Sequence, residues 1–252
     1  MRIINYDANY RYKVPVFGSA ADIAAGALMK AGATAGTDFG AAIKCAGDAA
    51  TANVDIVGIL KDNLDYSVDG ETLGDGTDFA VKEVEPVVPW RVIRLPYSTA
   101  TADLISATQA VSTTTITLTS LEDNIDASFL YVVSGLGAGQ TNFLTASAAG
   151  SATLKAAFTT ALDTTSRLIK ILRRFHPLCV LSSADSNKLG SIAAAGGTGC
   201  FVLDTFIKRG SGGRLEQMDP TIHDDLTGLN SLDTVQFWAD VCFRDTLPYT
   251  ID

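Results

Sequence analysis

Imidazole is the side chain that most readily does acid–base work at neutral pH, so the histidines come first. His176 and His223 lie far apart in the chain, and neither has a partner at metal-ligand spacing. His176 precedes Pro177, which biases it towards an extended segment or turn. His223 stands before Asp224 and Asp225, a grouping a hydrolase could use. No serine occupies a G-x-S-x-G elbow, however, and no cysteine carries a nucleophile signature. Residues 65–76 place Asp65, Asp69 and Gly70 at positions 1, 5 and 6 of a calcium loop. Position 12, which must supply a bidentate acid, is Gly76, so a polar hairpin loop is expected instead. Residues 135–140 (GLGAGQ) have neither the G-x-G-x-x-G spacing nor a Walker lysine. Their glycines fit a reversal between two strands, where positive φ is needed. Carboxylates are plentiful, but the separation that glycoside hydrolysis requires is spatial and is not written in the chain. The sequence thus names no catalytic, cofactor-binding or metal-binding residue. A non-enzymatic protein is expected.

The elements that carry these residues read as short strands. At 252 residues the chain is long enough for one large β-domain or two smaller ones. Charged residues make up only 19%, and 22 glycines accompany abundant Ala, Ser and Thr. That composition suits strands, tight turns and closely packed surfaces. Glycines at 18, 26, 32, 36, 40, 47 and 58 punctuate short apolar runs at 26–30, 41–44 and 54–60. Residues 20–25 could form one helical turn, and 69–78 (DGETLGDGTD) is turn chemistry before a strand at 79–84. Pro86, Pro89 and Pro96 bracket a strand at 90–95. Strands are expected at 113–118, 129–133, 142–145, 153–158, 167–174, 201–208 and 235–244, with a flexible piece at 209–214. No long helix is evident.

Charge narrows the partners. The net charge of −9 opposes sequence-independent nucleic-acid binding, which needs a basic field. Residues 216–252 hold eight acids against one base, Arg244, and so contribute −7. Residues 1–17 have the opposite bias, with Arg2, Arg11 and Lys13 against Asp7. The four cysteines (Cys45, Cys179, Cys200, Cys242) form no C-x-x-C pair and read as small buried residues in a reducing compartment. Neither a signal peptide nor a membrane span is apparent, so a soluble protein without membrane partners is expected.

Residues 129–172 carry a resemblance. Ser134, Gly135, Gly137, Ala138, Gly139 and Gln140 match "SGxGAGQ", and Leu162, Asp163, Thr165 and Ser166 match a downstream "PDxTS". The arrangement resembles a β-module of tailed-bacteriophage structural proteins. Leu162 stands where that module has proline, and Thr141 and Asn142 replace the basic residue that often follows the turn. Residues 20–60, with their glycine- and alanine-rich strands, are similar to small β-barrel decoration proteins of phage heads.

The resemblance implies an all-β fold, a barrel or sandwich domain with a second, inserted or appended, small β-domain. A first domain at 1–98 would be completed by 175–252, and the GAGQ module at 99–174 would be the inserted unit. Residues 97–102 (YSTATA) read as the linker between them. The implied function is capsid decoration, or cement. The protein would be made in the host cytoplasm and bind the outer surface of the major capsid protein lattice and its own copies, as a homotrimer. The candidate interface is the N-terminal arm. Tyr6, Tyr10 and Tyr12 offer amphipathic contact area, while Arg2, Arg11 and Lys13 could pair with acidic loops. The same arm could instead be the first barrel strand. A neck, tail or head-fibre protein is the nearest alternative. A glycan-binding or glycan-cleaving virion protein is the other, with Trp90 and Trp238 read as core.

Overall fold

The computed structural model describes residues 12–17, 22–31, 41–44, 56–65, 71–72, 78–86, 92–118, 128–148, 150–173, 181–182, 188–191, 200–218 and 235–243. Sixteen strands and one 3-10 turn, Thr101–Asp103, occupy them, and the fold is all-β as the glycine-punctuated text predicts. No helix among the described residues is long and apolar enough to cross a membrane. The strands gather into two compact units, the first holding β1–β6 and the second β7–β16.

In the first unit, β1 (Tyr12–Phe17) runs parallel to β3 (Ala42–Lys44) and antiparallel to β6 (Asp78–Pro86). With β2 (Leu28–Ala31) and β4 (Ile56–Leu60) in between, the order β1-β3-β2-β4-β6 closes on itself. β5 (Glu71–Thr72) pairs antiparallel with the start of β6. Val16, Ile23, Met29, Leu60, Leu64 and Val84 form the core, each an apolar residue on the inward side of its strand or bridge. Residues 22–27 fold as a turn rather than a helix. Ile23 and Leu64 exchange both backbone hydrogen bonds, and Ala27 N–H donates to Ala24 O at 3.2 Å.

In the second unit a six-stranded barrel closes in the order β10-β11-β12-β9-β8-β13, all neighbours antiparallel. Its strands are β8 (Ile105–Gln109), β9 (Thr115–Leu118), β10 (Phe129–Ser134), β11 (Thr141–Ala148), β12 (Ser151–Leu154) and β13 (Arg167–Ile171). β8, β9 and β12 alternate buried and less buried residues, as half-buried strands must. Residues 129–132 of β10 and 168–171 of β13 are buried without interruption. Register explains this: Leu130 and Val132 stand opposite Lys170 and Leu168, while Phe129 and Tyr131 stand opposite Ile171 and Ile169. Tyr131 then packs edge-on against Phe237, with ring centroids 5.1 Å apart, so both faces of β10 are covered. Strand bounds differ from the sequence expectation in several places. Thr113 lies in the β8–β9 turn, its N–H and hydroxyl both donating to Ala110 O. β12 begins at Ser151, straight after Gly150, and ends at Leu154, so residues 155–158 lie outside the strand. β13 stops at Ile171.

A four-stranded sheet completes this unit in the order β15-β14-β16-β7, from β7 (Ile93–Pro96), β14 (Cys200–Arg209), β15 (Leu215–Met218) and β16 (Val235–Phe243). Residues 210–213, within the stretch read as flexible, form the β14–β15 hairpin turn. Val202, Ile207, Phe237, Ala239 and Val241 are buried here, and Cys242 is buried as expected of a small apolar residue. Arg94 reaches across the ladder to Asp240 (2.6 and 2.8 Å) with its guanidinium 3.9 Å from the Phe206 ring centroid. In the stretch read as a linker, Tyr97 and Ser98 are buried while Thr99, Thr101 and Ala102 are exposed, and Tyr97 Oη accepts from Leu172 N–H at 3.3 Å.

Candidate functional site

The two halves of the module that the sequence singles out fold onto each other. Gly135, Gly137 and Gly139 have φ of +83°, +82° and +87°, and the chain between β10 and β11 reverses through them. Gly139 N–H donates to Val132 O at 2.8 Å, which closes the loop on its own stem. The second half, residues 162–166, is a turn built on Asp163. Its Oδ1 accepts from Thr165 N–H (2.8 Å) and Thr165 Oγ1–H (2.6 Å), and Ser166 N–H donates to Asp163 O at 3.0 Å.

The halves then interlock. Ser166 Oγ–H donates to Leu136 O at 2.7 Å, and Leu136 N–H donates to Thr165 Oγ1 at 3.2 Å. On the far side of the turn, Gln140 uses both ends of its amide. Oε1 accepts from Thr160 N–H at 2.9 Å, and Nε2 donates to Thr160 O (3.0 Å) and Gly137 O (3.1 Å). Ser166 is fully buried and Leu162 nearly so, whereas Leu136 at the tip is 46% exposed. Arg167 adds a third strut, its Nη1 donating to Thr164 O, Ser166 O and Ser106 Oγ. The glycine turn and the Asp turn are therefore one clasp at one end of the barrel. The backbone N–H groups of Leu136, Ala138, Gly139 and Gln140 all donate within the protein, which leaves them unavailable to a phosphate.

The Asp163 carboxyl is held below the usual aspartate range, first by the Thr165 hydroxyl and then by backbone N–H donation from Thr165. A depressed folded value means that the charged form stabilises the fold at any pH above the unfolded value. That contribution fades as pH falls through the folded value. The melting temperature of the wild type should thus exceed that of Asp163→Asn by a constant margin near neutral pH. The margin should shrink in acid below the ordinary aspartate range, and a pH-independent margin would contradict this account.

A buried polar hub lies at the barrel's start. Asp103 is 2% exposed, and its Oδ2 accepts from Ser98 Oγ–H and Ser182 Oγ–H, both at 2.6 Å. Asp103 O accepts from Ser191 N–H at 3.1 Å, and Ser191 Oγ accepts from Lys170 N–H at 3.1 Å. Ser98, Ser182, Ser191 and Lys170 are all buried. These buried groups join segments that are distant in sequence. Sequence reading missed the hub because its members are single small polar residues scattered over residues 98–191.

Of the predicted interface, Arg2, Tyr6, Tyr10 and Arg11 lie outside the described residues. Tyr12 and Lys13 open β1, opposite Val84 and Glu83, and Lys13 is exposed. His176, His223, Cys45, Cys179 and Trp90 also lie outside the described residues, as do 66–70 and 73–76 of the faint calcium loop. Among the described residues no three His, Cys, Asp or Glu side chains gather as a metal set. Trp238 sits in β16, half-buried. No protein-family model, curated protein or solved structure matches this chain.

Proposed function

We propose that the chain is a non-enzymatic structural protein of a tailed-bacteriophage particle that decorates the head and stabilises its lattice. The observation that carries this reading is the clasp. The two turns by which the sequence resembles a phage-particle module bond directly to one another, Ser166 to Leu136 and Thr165 to Leu136. A module whose signature residues hold one rigid barrel end is a scaffold for contact, not for turnover. Two further features support the reading. Closed barrels leave few open strand edges, which suits a protein packed at high local concentration beside its own copies. The clasp also presents an exposed leucine on a fixed backbone, and rigid apolar tips make efficient contacts.

The test is reconstruction of the intact particle by electron microscopy. Density for this chain is expected at repeated positions on the outer head surface, with three copies grouped about each local axis. Density confined to the neck, tail or a fibre would replace decoration by that alternative. A matching prediction concerns the arm. Because Tyr12 and Lys13 belong to β1, the deletion should end at Arg11. Protein lacking residues 1–11 should keep its far-ultraviolet dichroism and melting temperature yet lose most of its occupancy on purified heads. Full occupancy would remove the arm from the interface.

A further inference from the structure

The two barrels close on themselves, but the four-stranded sheet of the second unit ends on β15. On one side β15 pairs with β14, Leu215 opposite Lys208 and Gln217 opposite Phe206. Among the described residues no strand pairs with its other side. Alternate residues of an antiparallel strand turn both backbone groups away from the neighbour, so β15 offers a row of N–H and C=O groups. The edge is accessible. Arg214, Leu215, Glu216 and Gln217 are all exposed, and only Met218 is buried.

An open edge selects a strand as its partner, and charge selects which strand. The edge is entered through Arg214 and reads Arg214-Leu215-Glu216: positive, apolar, negative. Residues opposite one another in an antiparallel pair share a face of the sheet. With Leu215 on a two-fold axis, a second copy of this segment brings its Glu216 opposite Arg214 and its Arg214 opposite Glu216. The two Leu215 side chains then meet on the other face. The triplet is thus its own complement, two ion pairs flanking one leucine pair. Beyond it the copy presents Gly213 and Gly212, which carry no side chain to collide. Guarded edges carry lysines or proline, which repel or block a copy, whereas opposite charges two residues apart attract one in this register.

We propose that β15 is a self-association edge. Two copies of this chain pair antiparallel through residues 214–216 about a two-fold axis at Leu215, which joins their four-stranded sheets into one. The contact is isologous and closes at two copies. It is also short. Each cross-strand pair contributes about 0.2–1 kcal/mol, so the free dimer is weak and the contact acts between copies already held side by side. The inference goes beyond decoration of the head and stands without it, since it requires only two copies of the chain.

The test is disulfide trapping with the full chain. Residues on the axis have Cα atoms about 4.5–5.5 Å apart, inside disulfide range. The two copies of residue 217 are four residues out of register, about 13 Å apart, and cannot be bridged. Leu215→Cys should therefore give a disulfide-linked dimer on mild oxidation and Gln217→Cys should not. Wild type, with four cysteines of its own, sets the background. At about 0.5 mM chain a contact with Kd near 1 mM pairs about a third of the copies, which oxidation then traps. Added to Leu215→Cys, Arg214→Glu or Glu216→Arg should each cut the yield about fivefold, and the two together should restore it. These positions are exposed, so an unchanged melting temperature is expected of every variant. A Leu215→Cys yield no higher than wild type would overturn the proposal. So would equal yields from the two cysteine variants, or a charge swap that stays as weak as its single members. Particle occupancy of the wild type is measured separately, so failure here leaves the decoration reading standing.

Discussion

Asp103→Ala should unfold at a melting temperature about 10 °C below wild type, corresponding to roughly 3–5 kcal/mol. The size follows from what the carboxyl satisfies. Its Oδ2 accepts two buried serine hydroxyls at 2.6 Å, lengths typical of hydroxyls donating to a carboxylate. Alanine leaves both Ser98 and Ser182 without that acceptor and opens a void at a buried position. The loss also propagates through the backbone. Ser98 N–H donates to Leu189 O, Leu189 N–H donates to Pro96 O, and Ser182 N–H donates to Lys188 O, so residues 96–98, 181–182 and 188–191 are held around one side chain. Asp103→Asn keeps one carbonyl acceptor and should cost about half as much. Equilibrium unfolding in urea reads both variants, and a loss below about 1 kcal/mol for alanine would show that the hub is not what ties these segments.

How far the sequence foretells this architecture depends on what each strand buries. β10 and β16 are dense in β-branched and aromatic residues and are legible, and β9 alternates Thr with Ile116 and Leu118. β8 is not legible, although it is as regular as the others. Its inward residues are Ile105, Ala107 and Gln109, so only one large apolar side chain marks the buried face. β1 is a strand at the end of the arm, the alternative the arm offered, although Pro15 in its middle, exposed and opposite Val81, weakens the usual strand text. β15 is an edge strand with three exposed residues and offers no hydrophobic pattern at all. Residues 97–102 read as a linker because small polar residues usually mean solvent. Ser98 is buried only because Asp103 and Leu189 satisfy its hydrogen bonds.

The candidate site was legible in halves. Both turns announce themselves by their residue types, glycines at 135, 137 and 139 and Asp-Thr-Thr-Ser at 163–166. Their mutual bonding is a property of barrel register, since β10 and β13 are neighbours only once the strands have paired. The hub has no such textual trace, for its carboxyl and the two serines that donate to it look like any loop residues.

Gly135→Ala should be the most damaging single methyl group in the clasp, at about 3–5 kcal/mol. Two costs combine there. Alanine at φ +83° is strained, by about 1–2 kcal/mol. The new Cβ would also run into Thr165 O and lie 2.8 Å from Ser166 N, both of them backbone atoms that cannot swing aside. Gly150 separates the two contributions. Its φ is +75°, but the nearest atom to an added Cβ is Leu118 O at an ordinary 3.7 Å. Gly150→Ala should therefore lose only the conformational share, about 1 kcal/mol. The difference between the two variants measures how tightly the glycine turn is pressed against the Asp163 turn. Equal losses would mean that the barrel end relaxes around a methyl group and that the clasp is loose. Unequal losses make Leu136 a tip whose position is fixed from below, because the same bonds that exclude the methyl group hold its backbone N–H and carbonyl.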